Sequence, residues 1–95
     1  MPQHRLIALA ATVVMVAASI GPAAAQLSSN CQDLWIQRNT VYKARGYCFK
    51  TRRAIDFFGN AGCTHENEAS IPFTGSERDL IARIVAREAS LGCQQ

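Results

Sequence analysis

The chain has 95 residues, ten of them Lys or Arg and seven Asp or Glu, for a formal net charge of +3. That length holds one small domain with little room for a substrate cleft, and the near balance of charge singles out no partner class. Cys31, Cys48, Cys63 and Cys93 all follow residue 25, and an even number of cysteines in a short exported chain predicts disulfides and an oxidising compartment.

Export is predicted by the N-terminus. His4 and Arg5 make a basic start, Leu6 to Ile20 is apolar and uncharged, and Gly21-Pro22 breaks the run before Ala23-Ala24-Ala25. This order is that of a cleaved signal peptide spanning 1–25, with the cut between Ala25 and Gln26. An uncleaved anchor is disfavoured because the apolar run falls short of the ~20 residues that span a bilayer. Ser28-Ser29-Asn30 before Cys31 is not the apolar-small pattern of a lipoprotein signal. The remaining domain, 26–95, loses Arg5 and keeps nine cations against seven anions. A domain this size buries only about 60% of its unfolded surface, so its core is marginal.

The first helix is predicted from Cys31 to about Arg45. Ser29-Asn30 offer capping oxygens, and Gln32 or Asp33 completes a capping-box pattern. Cys31, Leu34, Trp35, Arg38, Val41 and Tyr42 recur at helical spacing as the buried stripe, with the stem of Arg38 across it. Gly46 stops the helix. Tyr47-Cys48-Phe49 is a short extended link. Thr51 caps a second helix running through Phe58 and ended by Gly59. Thr64 to Thr74 is polar and contains Pro72, which predicts an ordered loop without regular structure. A third helix is predicted with Ser76 as its cap and Glu77 and Asp79 in its first turn. Leu80, Ile81, Ile84, Val85, Glu88 and Leu91 follow one face, Arg83 and Arg87 point outward, and Asp79 and Arg83 make an i,i+4 pair. The fold class is therefore all-α: a small disulfide-stapled three-helix domain. Its core is expected from Trp35, Tyr42, Phe49, Phe57, Phe58, Ile81, Ile84 and Val85.

Four cysteines allow three pairings. Cys31 and Cys48 sit near opposite ends of the first helix, roughly 20 Å apart at 1.5 Å per residue, whereas a disulfide needs Cα atoms within about 7 Å. Two pairings remain open: Cys31–Cys93 with Cys48–Cys63, and Cys31–Cys63 with Cys48–Cys93. The first is favoured, because Cys48 and Cys63 bracket the short second helix and an antiparallel third helix returns Cys93 to the start of the first.

The segment from Asn39 through Tyr42, Gly46 and Phe49, extended back to Leu34-Trp35 and forward to Phe58-Gly59, resembles the YARHG domain, named for a Tyr-Ala-Arg-His-Gly string. Here Lys43-Ala44-Arg45 stands where the string has Ala-Arg-His, so the histidine is lost. The chain is similar to a cysteine-rich variant of that family. The resemblance implies a small extracytoplasmic bacterial module, periplasmic or secreted, and carries no assigned catalysis or ligand. Physics gives Trp35, Asn39, Tyr42, Gly46 and Phe49 a structural role. Gly46 lets the chain reverse, Phe49 packs back beneath Tyr42 and Trp35, and Asn39 bonds loop backbone near the turn. The competing reading places Arg38, Asn39 and Tyr42 on a recognition surface.

Little in the chain supports catalysis. His65 is the one histidine after the signal, the serines lack a nucleophile-elbow context, and no glycine-rich phosphate loop occurs. Cys63-Thr64-His65 lacks the spacing of a zinc knuckle. No catalytic residue, cofactor or metal is expected. The best surface feature is the basic stretch from Arg38 to Arg53, with Arg38, Lys43, Lys50, Arg52 and Arg53 as the candidate binding surface. Outside the cytosol its partner would be an anionic envelope component (lipid headgroup, polysaccharide, peptidoglycan) or an acidic protein patch, and not nucleic acid. The expectation is an exported, non-catalytic interaction module with no membrane span after cleavage. The alternative is a secreted inhibitor of an extracytoplasmic enzyme, presenting the Thr64–Thr74 loop from a base held by Cys63.

Overall fold

A computed structural model describes Thr12 and residues 27–94. The signal-peptide expectation, including the cut after Ala25, lies outside the described residues. Among the described residues three α-helices make the fold, α1 (Cys31–Ala44), α2 (Arg52–Phe58) and α3 (Gly75–Ser90), with one 3-10 turn at Glu68–Ser70 before α3. No strand occurs among the described residues, only an isolated parallel bridge between Tyr47 and His65. The all-α fold stands.

Each helix begins where a side chain can accept an orphan N–H. Asn30 Oδ1 accepts from the Asp33 backbone at 2.8 Å, and the Asp33 carboxylate accepts in return from Asn30 Nδ2 at 2.9 Å. Thr51 Oγ1 accepts from the Ala54 N–H and starts α2. The third cap is Thr74 and not Ser76: Thr74 Oγ1 accepts from Glu77 N–H, and the Glu77 carboxylate accepts from Thr74 N–H. A capping box needs Glu or Gln three residues past its Ser or Thr. Thr74 has Glu77 there, whereas Ser76 has the shorter Asp79.

Helix ends are equally local. After α1, Tyr47 N–H bonds Tyr42 O and Gly46 N–H bonds Lys43 O, both at 3.1 Å. The same pattern closes α3, where Cys93 N–H reaches Glu88 O at 2.8 Å and Gly92 N–H reaches Ala89 O at 3.1 Å. These are Schellman closures, which carry a left-handed residue at the glycine position.

α1 packs on α3. The buried apolar residues are Leu34, Trp35, Tyr42, Cys48, Phe49, Ala54, Ile71 and Ile84. Trp35, Tyr42, Phe49, Ala54 and Ile71 form one cluster, with Phe58 and Ile81 packed against it. Two expected core members lie outside. Phe57 is 54% exposed and Val85 36%. Phe57 touches the core from its edge, through ring contacts with Trp35 at 5.6 Å and with Phe58 at 4.7 Å. Val85 follows Ile84 by about 100° around α3, off the line toward α1. Leu91, past the helix end, is 45% exposed. Arg83 donates to the Asp79 backbone carbonyl at 3.4 Å in place of its carboxylate.

The Thr64–Thr74 segment is more structured than expected. It holds the Tyr47–His65 bridge and the 3-10 turn, and Ile71 is buried in the core. An apolar side chain inserted midway ties a loop down, and the polarity of its neighbours hid that anchor.

Two disulfides are formed: Cys31–Cys93, with Cα atoms 5.5 Å apart, and Cys48–Cys63, at 5.1 Å. The first joins the start of α1 to the residue after the α3 closure. The second joins the link before α2 to the turn after it.

Candidate interaction surface

The turn after α1 is built around Gly46. Its φ is +79°, and a Cβ there would lie 2.7 Å from Thr64 Oγ1. Glycine is therefore required for two reasons, the left-handed backbone and the closeness of the returning loop. The Gly46 carbonyl accepts from both Thr64 N–H (2.8 Å) and His65 N–H (3.0 Å), and Cys48 N–H reaches His65 O at 2.8 Å. The Cys48–Cys63 bond closes the same seam. Asn60 completes it: its Oδ1 accepts from Phe49 N–H at 2.7 Å and its Nδ2 donates to Phe49 O at 3.0 Å. Asn39 has a different role from the expected one. It is buried and donates to Trp35 O within its own helix at 2.9 Å. The loop clasp belongs to Asn60, whose turn-like surroundings in the sequence concealed it.

The basic stretch is dispersed by folding. Arg38 Nε and Nη2 reach Glu88 Oε1 and Oε2 at 2.7 and 3.1 Å. Lys43 Nζ donates to Gly59 O at 3.0 Å, tying α1 to the end of α2. Arg45 pairs with Glu77 at 2.8 Å, and that contact places α1 against the first turn of α3. Lys50 pairs with Glu66 at 2.6 Å, both side chains being more than half exposed. Arg53 bonds Gln32 and lays its guanidinium 3.8 Å over the Trp35 ring, a cation–π contact. Within this basic stretch, Arg52 alone is exposed without a side-chain hydrogen bond or ion pair to a described residue.

The candidate residues therefore separate into two sets. Arg38, Lys43 and Arg53 are turned to internal partners. Lys50 and Arg52 share a cleft of about 310 Å³ with Ile55 and Asp56. Lys50 also borders a tighter cleft of about 150 Å³, which reaches Trp35, Arg38, Asn39, Tyr47 and Glu68. Lys50 thus stands between the outward basic corner and residues of the YARHG-like segment.

Three described ionisable side chains are displaced from their ordinary behaviour, among them Arg45, whose pKa is raised first by its hydrogen bond to Glu77. Tyr42 has its phenol pKa raised, first by burial and then by the nearby Glu68 carboxylate, with Arg38 acting in the opposite sense. Its hydroxyl lies 3.5 Å from Glu68 Oε2. Glu77 has its carboxyl pKa lowered, first by the hydrogen bond from Arg45 and then by the Thr74 backbone N–H.

Among the described residues no three His, Cys, Asp or Glu side chains gather as metal ligands. No described helix is long and apolar enough to cross a membrane.

A family model described as the YARHG domain matches residues 11–89. The match begins inside the N-terminal apolar run and ends in the last turn of α3, well beyond the Leu34–Gly59 segment that carries the visible resemblance. Nothing among curated proteins or solved structures matches the chain.

Proposed function

The chain belongs to the YARHG domain family, a small extracytoplasmic module, and we propose that it is a non-catalytic interaction domain whose Lys50–Arg52 corner docks an anionic component of the bacterial envelope. The observation that carries this reading is the state of Arg52. It is an exposed guanidinium without an internal partner, beside a lysine whose own pair is exposed to solvent. Exposed pairs of that kind contribute about 0–1 kcal/mol, so Glu66 yields Lys50 to a competing anion at little cost. Arg38, Arg45 and Arg53 are committed internally and belong to the scaffold. The oxidised cysteines support an exported setting, and residues 1–25 supply the proposed cleaved signal.

The inhibitor reading gains less support. Ile71 is buried and the 3-10 turn folds the loop back, so Thr64–Thr74 does not project as a free reactive loop.

The test is sedimentation of the disulfide-bonded protein with an isolated envelope fraction at low and high salt. Binding should weaken with salt and be lost in Lys50→Glu/Arg52→Glu. Salt-independent binding that survives both reversals would remove this corner as the site.

A further inference from the structure

A second hollow, apart from the basic corner, has a composition of its own. It is an open hollow of about 510 Å³ between α1, the 3-10 turn and α3. Phe73, Ile81 and Ala82 give it an apolar floor, Tyr42 faces it, and Glu68 and Arg78 stand on its border. Both charges are exposed, and no ion pair joins them or engages either with another described residue. The one polar contact of the Glu68 carboxylate is the long 3.5 Å approach of the Tyr42 hydroxyl.

Two opposite charges line one hollow without pairing with each other, so a ligand carrying both charges can engage each. The geometry points to a zwitterion-binding site. It takes an α-amino acid or short peptide with its ammonium on Glu68, its carboxylate on Arg78 and an apolar side chain over Phe73 and Ile81. Tyr42 supports this use: its hydroxyl lies 3.5 Å from Glu68 Oε2 and is a donor beside the bound polar group. A purely anionic ligand would meet Glu68 and a purely cationic one Arg78, so the hollow selects against both. The site is independent of the Lys50–Arg52 corner and stands if that reading fails.

The test titrates the isotope-labelled, disulfide-bonded protein with leucine, with the dipeptide Leu-Leu, and with their N-acetylated and C-amidated forms, following amide resonances. Saturable shifts at Tyr42, Phe73, Ile81 and Ala82 are expected with a free zwitterion, and blocking either end should weaken binding about tenfold. Whether leucine or Leu-Leu saturates first identifies a free amino acid or a peptide as the source. Glu68→Gln should make binding indifferent to acetylation, and Arg78→Gln indifferent to amidation. Both residues are exposed, and retention of the helical circular dichroism signal shows that the variants fold. Absence of saturable shifts with either zwitterion up to about 10 mM, or equal binding of the blocked forms, overturns the proposal.

Discussion

Arg38 on α1 grips Glu88 on α3 with two parallel contacts, 2.7 and 3.1 Å long, and Glu88 is fully buried while the Arg38 side chain is 16% exposed. This pair joins residues 50 positions apart across the main helix packing of the domain. It also explains how an acid sits on the inward face of α3 next to Ile84. A forked, charge-assisted pair satisfies both oxygens where water does not reach. Removing one partner leaves a desolvated charge, whereas replacing both with apolar residues of similar volume is near neutral or stabilising. Glu88→Ala should therefore cost about 3 kcal/mol in denaturant unfolding, and Arg38→Met/Glu88→Leu should recover most of it. A double variant as unstable as Glu88→Ala would show that the packing, and not the stranded charge, sets the cost.

Gly46→Ala should destabilise by about 1–3 kcal/mol, because an L residue is strained in that backbone region and its Cβ would meet Thr64 Oγ1 at 2.7 Å. Adding Thr64→Ala relieves the contact and not the backbone strain, so it should restore only part of the loss. Full restoration in the thermal melt would place the whole effect in the contact.

The disulfides differ in reach, with sequence separations of 62 for Cys31–Cys93 and 15 for Cys48–Cys63. On loop entropy the long ring contributes somewhat over about 4 kcal/mol and the short one about 3 kcal/mol. Replacing Cys31 and Cys93 by serine should lower the unfolding free energy more than replacing Cys48 and Cys63. The short bridge has the more local effect: its loss should raise hydrogen exchange at Thr64 and His65 first, since those amides bond Gly46. Unchanged exchange there would detach the bridge from the turn.

Acid should loosen the contact between α1 and the start of α3. The folded pKa of Glu77 lies below its ordinary value, about 4.3 for a glutamate. A depressed carboxyl contributes stability that is present above the unfolded pKa and lost as pH falls through the folded one. Wild type should lose stability below about pH 4.3 more steeply than Glu77→Gln. Parallel pH profiles for the two would contradict that coupling.

Much of this fold was legible because its signals are local. Asn30 and Thr51 start helices and Gly46, Gly59 and Gly92 end them through contacts within a few residues. The all-α class follows from those caps and from the 3.6-residue stripes. The third cap needed a finer rule, since Thr74 and Ser76 both offer a hydroxyl and only Thr74 has a glutamate three residues on. Partners distant in the chain were not legible. Nothing near Arg38 indicates Glu88, nothing near Arg45 indicates Glu77, and Asn60 resembles an ordinary turn residue until Phe49 is placed beside it. The run from Arg38 to Arg53 illustrates the same limit. Helix and turn geometry send its cations to different faces, so charge density along the chain overstates the basic surface of the domain.

The division of those cations between scaffold and docking corner is tested most directly by the binding of Arg45→Gln and Arg52→Gln to the envelope fraction, measured side by side at a temperature where both are folded. Arg45→Gln should bind as wild type although it melts earlier, while Arg52→Gln should melt as wild type and lose salt-sensitive binding. Undiminished binding by Arg52→Gln, or equal loss in both variants, would contradict that division.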